Sequence, residues 1–242
     1  MTHIKSLIAL LLLILLSGCQ ERNVDWLSYG SNLENQRFSK LSQINEKNIN
    51  NLKLAWQYQT GIKATFQATP LVYKGVMYIS LPYNHVIALN AQNGEELWRY
   101  EHQRNLEWKM CCGPSNRGLA IHGNQLFMGT VDARLISLNI KTGKKIWDID
   151  VVGNLVTTES ISFLNDVDPN RKKLVSGGTG VGISMAPVVY ENKVIIGITG
   201  VGYGLHVEDA EKDSPLGAVV GVNGRFGRPG FLAAYDIYSG KQ

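Results

Sequence analysis

From residue 71 onward the chain is written in short runs in which apolar and polar side chains alternate. Leu71 to Tyr73, Val76 to Leu81, Val86 to Asn90 and Glu96 to Tyr100 follow one another closely. A period of two gives each run one face to bury, which is the pattern of a β-strand. The intervening stretches "KG", "PYN" and "AQNG" are rich in the residues that turns demand. Four short antiparallel strands in succession make one blade of a β-propeller.

The unit recurs. "IALNAQNGEELW" (Ile87 to Trp98), "ISLNIKTGKKIW" (Ile136 to Trp147) and "LAAYDIYSGKQ" (Leu232 to Gln242) share one ending, and Gly94 and Gly143 stand 49 residues apart, as do Trp98 and Trp147. A repeat of that size belongs to a propeller or solenoid. In the second unit turns are predicted at His122 to Asn124, Val131 to Ala133 and Lys141 to Gly143. The tryptophan four residues past each turn glycine is expected to pack between blades. A third unit opens at "APVVYENKVIIGITG" (Ala186 to Gly200) and closes at "FLAAYDIYSG". Its length is read as one blade with a long internal insertion, preceded by another excursion, Asp150 to Ser184. Roughly three blades are too few for a ring that needs about four to eight. The expectation is therefore an all-β propeller of which residues 19–242 form the N-terminal part, stopping inside a blade.

Composition changes this picture little. With 44% hydrophobic and 18% charged residues, the chain is ordinary for a folded protein. A formal charge of +4, spread evenly and including Lys5, is too weak to suggest nucleic acid as a partner. The N-terminus is more informative. Lys5 precedes the apolar run Leu7 to Leu16, and Ser17, Gly18 and Cys19 follow directly. Such a run is the length of a signal-peptide core, so residues 1–18 are expected to be a leader. The small residues before Cys19 look like a bacterial lipobox, in which that cysteine is lipidated; the plainer alternative is cleavage at Ser17-Gly18 with Cys19 left free. Gln20 after the cysteine suits an outer-membrane anchor on the periplasmic side.

Export makes the remaining cysteines interesting, because disulfides persist outside the cytosol. They stand side by side in "WKMCCGPSNRG", Trp108 to Gly118. Adjacent Cα atoms are about 3.8 Å apart, or about 2.9 Å across a cis bond, whereas disulfides prefer about 4.4–6.8 Å. A Cys111-Cys112 bond would close a small strained ring, and such strain is found where a rigid surface is useful. The alternative is two free thiols, which an oxidising compartment disfavours. Metal binding by the pair lacks support, since His85, His102, His122 and His206 are scattered through the chain. Arg117, five residues past Cys112, offers the planar fork that suits a carboxylate. The glycine-rich "SGGTGVGIS" (Ser176 to Ser184) lacks the lysine and the helix of a phosphate loop. "DVDPN" (Asp166 to Asn170) puts Arg171 where a calcium loop needs glycine, and reads as a solvated turn.

With these residues in view the chain resembles the quinoprotein alcohol dehydrogenases, periplasmic enzymes that use pyrroloquinoline quinone (PQQ). The resemblance runs from Trp26 to the end and is carried by "CCGPSNRG", "TPLVYKGVMYIS", "DARLISLNIKTGKKIW" and "SMAPVVYENKVIIGITG". It implies an eight-bladed propeller in which the two cysteines form a disulfide ring lying against the quinone. It also implies that Arg117 contacts a quinone carboxylate or carbonyl, with Ser184 and Gln67 at two further cofactor-binding positions. Calcium is the family's metal, but the position of its glutamate ligand falls on Gly202 or Arg225, neither a carboxylate; Glu208, Asp209 and Glu211 lie in the insertion between them. The family's catalytic aspartate, its asparagine metal ligand and the tryptophan covering the other quinone face belong to later blades, so no catalytic residue is expected within 1–242. The resemblance implies oxidation of a primary alcohol, with electrons passing to a cytochrome c. Two other readings stay open: a lipoprotein propeller scaffold of outer-membrane assembly, and a PQQ-dependent sugar dehydrogenase.

Overall fold

A computed structural model describes residues 25–104, 109–110, 113–151, 182–198, 205–206 and 230–242. The first sheet holds β1 (Leu71–Tyr73), β2 (Val76–Leu81), β3 (His85–Asn90) and β4 (Glu96–Tyr100), each hydrogen-bonded antiparallel to the next. A short strand, β5 (Lys109–Met110), lies between this sheet and the second. The second sheet repeats the order with β6 (Leu119–His122), β7 (Gln125–Gly129), β8 (Arg134–Asn139) and β9 (Lys145–Asp150). In the third, β10 (Val188–Tyr190) and β11 (Lys193–Ile198) are joined by β13 (Phe231–Asp236). β11 pairs directly with β13, from Lys193 opposite Asp236 to Ile198 opposite Phe231. The strands and turns expected from the alternation are present, and so is the all-β propeller architecture in part.

One local device ends the third strand of every unit. Asn90, Asn139 and Asp236 each use a side-chain oxygen to accept a backbone N–H two residues on, from Gln92, Lys141 and Tyr238. The glycine that follows donates its N–H to the backbone carbonyl of the same residue at 2.8–2.9 Å: Gly94 to Asn90, Gly143 to Asn139, Gly240 to Asp236. These glycines sit at φ of 67–75°, where a side chain would be strained. Each is also covered by an indole. Trp98 of the first sheet lies on Gly143 of the second, and Trp147 of the second lies on Gly240 of the third. Their ring nitrogens donate to Ile140 O at 3.1 Å and Ile237 O at 3.0 Å. The expectation that these tryptophans pack between blades is met. Trp56, ahead of the first sheet, repeats the contact on Gly94 and donates to Ala91 O at 3.1 Å.

The middle sheet is buried on both sides, which explains why β7 is apolar without alternation of burial. Leu126, Met128, Ile136 and Leu138 pack towards Tyr78, Val86 and Ala88 of the first sheet. Phe127 and Leu135 pack towards Val194, Ile196 and Tyr235 of the third. Each fully buried Leu or Ile contributes about 1.5–3 kcal/mol. The one polar side chain of β7, Gln125, is buried and satisfied, its amide nitrogen reaching Ser137 Oγ at 3.0 Å and Ile237 O at 2.9 Å in the third sheet.

Antiparallel order fixes where the loops fall. The segments leading into β1, β6 and β10, together with the turns between β2 and β3 and between β7 and β8, share one end of the sheets. The tryptophan-capped turns occupy the other. Two features had no sequence signal: Trp26 bridges Val72 on β1, and β12 (Leu205–His206) pairs antiparallel with β5, setting Met110 opposite Leu205.

Candidate functional site at the loop end of the sheets

Arg117 stands two residues before β6, and Ser184 four residues before β10, so both belong to lead-ins at the same end. Arg117 is exposed, and its Nη1 donates to the backbone carbonyl of Ser184 at 3.2 Å. The approach is prepared by Gly129, the last residue of β7. A Cβ there would lie 2.2 Å from Ile183 Cγ2; its absence lets Ile183 settle against the strand, where the Ile183 N–H donates to Thr130 O at 2.9 Å. Ser184 is thereby held beside the second sheet. Gly118 allows a second close approach, since a Cβ on it would meet Ala186 Cβ at 3.2 Å. Gln67 is exposed at the corresponding place ahead of β1.

The loop before Arg117 is hooked onto the first sheet. Tyr83 and Asn84, in the turn between β2 and β3, both adopt positive φ (66° and 63°). The Tyr83 N–H donates to Pro114 O at 2.8 Å. Asn116, buried beside it, donates from Nδ2 to Asn84 Oδ1 at 3.0 Å and to Gly129 O at 2.8 Å, while its Oδ1 accepts the Gly118 N–H at 3.0 Å.

The start of the same loop is held by a second polar cluster. His102 is buried; its Nε2 lies 2.9 and 3.0 Å from the two carboxylate oxygens of Asp132, in the turn between β7 and β8. The His102 backbone N–H donates to His85 Nδ1 at 3.0 Å. Burial alone would raise the Asp132 carboxyl; the hydrogen bond and charge of His102 outweigh it, and the carboxyl titrates below its ordinary range. Burial pushes His85 the other way, down from the usual imidazole value, against the opposing pull of Glu101. Arg104 sits over the Tyr83 ring, its Cζ 5.4 Å from the centroid.

Cys111 and Cys112 lie outside the described residues, as do Cys19 and the positions considered for calcium, Gly202, Arg225, Glu208, Asp209 and Glu211. Of the expected cofactor-binding residues, Arg117 and Ser184 are brought into contact. Asn116, Asn84, Gly129 and the His102–Asp132 pair were not singled out by the sequence. Each has its partner remote in the chain, and none carries a local pattern that marks it.

The model of the PQQ family, described as the glucose/ethanol/alcohol dehydrogenase β-propeller domain, matches residues 26–241. The chain belongs to the PQQ-dependent alcohol dehydrogenase family. It is 34% identical over 219 residues to the quinohemoprotein alcohol dehydrogenase ADH IIB of Pseudomonas putida, covering 90% of this chain and 25% of that protein. To the 1-butanol dehydrogenase (cytochrome c) of Thauera butanivorans it is 30% identical, over 83% of this chain and 26% of the relative. The crystal structure of the quinohemoprotein alcohol dehydrogenase from Comamonas testosteroni superposes with a TM-score of 0.66 at 28% identity, covering 91% of this chain and 26% of that one. The chain thus spans about a quarter of the length of these members of the PQQ family.

The described residues fit the family's cofactor in kind. An exposed guanidinium, a hydroxyl and a carboxamide, on the lead-ins of three successive sheets, are donors suited to a planar quinone bearing carboxylates. Among the described residues no three His, Cys, Asp or Glu side chains gather where they could hold a metal ion.

Proposed function

We propose that this chain supplies the cofactor-gripping blades of a PQQ-dependent dehydrogenase that oxidises a primary alcohol or similar hydroxyl compound. The observation that carries the reading is the contact of Arg117 Nη1 with Ser184 O at 3.2 Å, which brings two expected cofactor contacts from different sheets to one rim. Bound PQQ supplies the two-electron acceptor that protein side chains lack. The protein's part here is to bind and orient. Arg117 meets an anionic or carbonyl oxygen of the cofactor with a charge-assisted hydrogen bond, Ser184 and Gln67 offer a hydroxyl and an amide, and Cys111 and Cys112, joined as a strained disulfide, form a flat support. No step is assigned to a metal. Electrons leave to a cytochrome c or a similar periplasmic acceptor, a reading supported by the likeness to the 1-butanol dehydrogenase (cytochrome c) of Thauera butanivorans. Residues 1–18 direct export, and Cys19 carries a lipid that anchors the protein, at the outer membrane by preference.

The test is reconstitution of the full-length protein with PQQ, with and without added calcium, followed by alcohol-dependent reduction of an artificial dye. Saturable cofactor uptake and alcohol-dependent turnover are expected; absence of both would overturn the reading. Labelling with a lipid precursor, lost on Cys19→Ala, tests the anchor.

A further inference from the structure

We infer that Asn116 is the positioning residue of the cofactor site, a buried amide that fixes Arg117 from both sides and ties it to two sheets at once. The inference rests on the reading that Arg117 contacts the cofactor. Asn116 is 6% exposed and Asn84 1% exposed, so neither side chain is placed for solvent. The orientation of the Asn116 amide is determined by its partners. Its Oδ1 accepts the Gly118 N–H at 3.0 Å, a two-residue closure that spans Arg117. Nδ2 must then face the opposite way, and it meets two acceptors there, Gly129 O at 2.8 Å and Asn84 Oδ1 at 3.0 Å. Both amide hydrogens are used, and no other side chain of that size combines one acceptor with two donors in this plane.

The consequence is a chain of contacts across the molecule. Asn84 belongs to the first sheet, Gly129 to the second, and the guanidinium that Asn116 steadies reaches Ser184 of the third lead-in. Gly129 serves both ends, because its carbonyl takes the Asn116 amide and its bare Cα makes room for Ile183. An arginine side chain has several rotatable bonds, and holding its backbone still lowers the ordering cost of binding an anion. Asn116 touches no cofactor position itself; it acts through Arg117.

A double-mutant cycle tests this. Full-length apoprotein carrying Asn116→Ala, Arg117→Ala or both is titrated with PQQ, and the dissociation constant is read from cofactor absorbance or tryptophan quenching, with urea melts alongside. Asn116→Ala is expected to weaken binding about tenfold or more, Arg117→Ala at least as much, and the double variant no further than Arg117→Ala. Asn84→Ala, which leaves the Gly118 and Gly129 contacts of Asn116 in place, should weaken binding in the same direction and add nothing to Arg117→Ala; it decides the matter if Asn116→Ala does not fold. Losses that add, or normal binding by Asn116→Ala beside a weakened Arg117→Ala, would overturn the positioning role. Normal binding by Arg117→Ala would instead remove the cofactor reading on which it stands.

Discussion

The indole of Trp98 covers Gly143 so closely that a Cβ on that glycine would lie 2.5 Å from Trp98 Cε3. The same glycine has φ of 67°. Gly143→Ala therefore meets two penalties, a left-handed backbone and a clash, and should destabilise the protein by about 2–4 kcal/mol. Urea unfolding of the full-length protein measures it, and an unchanged midpoint would mean that the indole moves aside without cost.

The polar end of the same indole can be separated from its bulk. Trp98→Phe keeps much of the ring but leaves Ile140 O without its 3.1 Å donor, a loss of about 1–2 kcal/mol. Trp98→Ala removes the packing as well and should cost about 3–5 kcal/mol. Equal effects would show that the hydrogen bond, and not the ring, makes the joint.

Stability should depend on pH through His85. Its Nδ1 accepts the His102 N–H, so the proton that charges the ring displaces that bond. Burial lowers its folded pKa below the ordinary 6.5, and the unfolded chain then binds more protons as pH falls. The stabilisation is complete above about pH 7 and is lost as pH falls through the lowered value. His85→Gln offers an acceptor that does not titrate. Between pH 7.5 and pH 5.5 the variant should lose less stability than the parent, as read by urea midpoints.

Asp132 acts in a lower window. Its carboxyl titrates below 3.8 in the folded state because His102 holds the charged form against the effect of burial. Its contribution is present above the unfolded value and lost as pH falls through the folded one. Asp132→Ala leaves His102 buried without its acceptor and should cost about 2–4 kcal/mol at pH 7. The difference between parent and variant should shrink on approaching pH 2, which acid titration by circular dichroism would reveal.

Gly129→Ala places a methyl group 2.2 Å from Ile183 Cγ2 and should push Ile183, and Ser184 with it, off the second sheet. PQQ affinity is expected to fall about tenfold, and the pair Gly129→Ala with Ile183→Ala should recover most of it. A cofactor titration of both proteins checks this; no recovery would mean that the loss does not arise from the clash with Ile183.

How much of this was legible in the chain follows from the range of each interaction. The blades were legible because alternation and the Asn-to-Gly turn are local, and the Trp98 and Trp147 spacing repeats without change. The resemblance that proposes a cofactor motif was legible because Cys111, Cys112 and Arg117 lie within one short stretch. Asn116 lies in that stretch too, yet its role depends on Asn84 and Gly129, which are 32 and 13 residues away, and an asparagine in a loop has no pattern that announces such partners. The pairing of β5 with β12 joins two-residue strands, too short to show any period. Trp56 went unread because its own strand pattern is missing, although Gly94 beneath it was part of the repeat.

The tryptophan joints also bear on how the protein is made. Trp56, Trp98 and Trp147 each dock on a turn that is synthesised after them, and the contacts on either side of a joint are between sheets adjacent in sequence. A nascent chain can therefore lock one blade as soon as the next turn glycine has emerged, so assembly can proceed from the N-terminus, with a closely following partner for Trp56 and Trp98 and a more distant one for Trp147. This order limits how long any apolar sheet face waits for its neighbour.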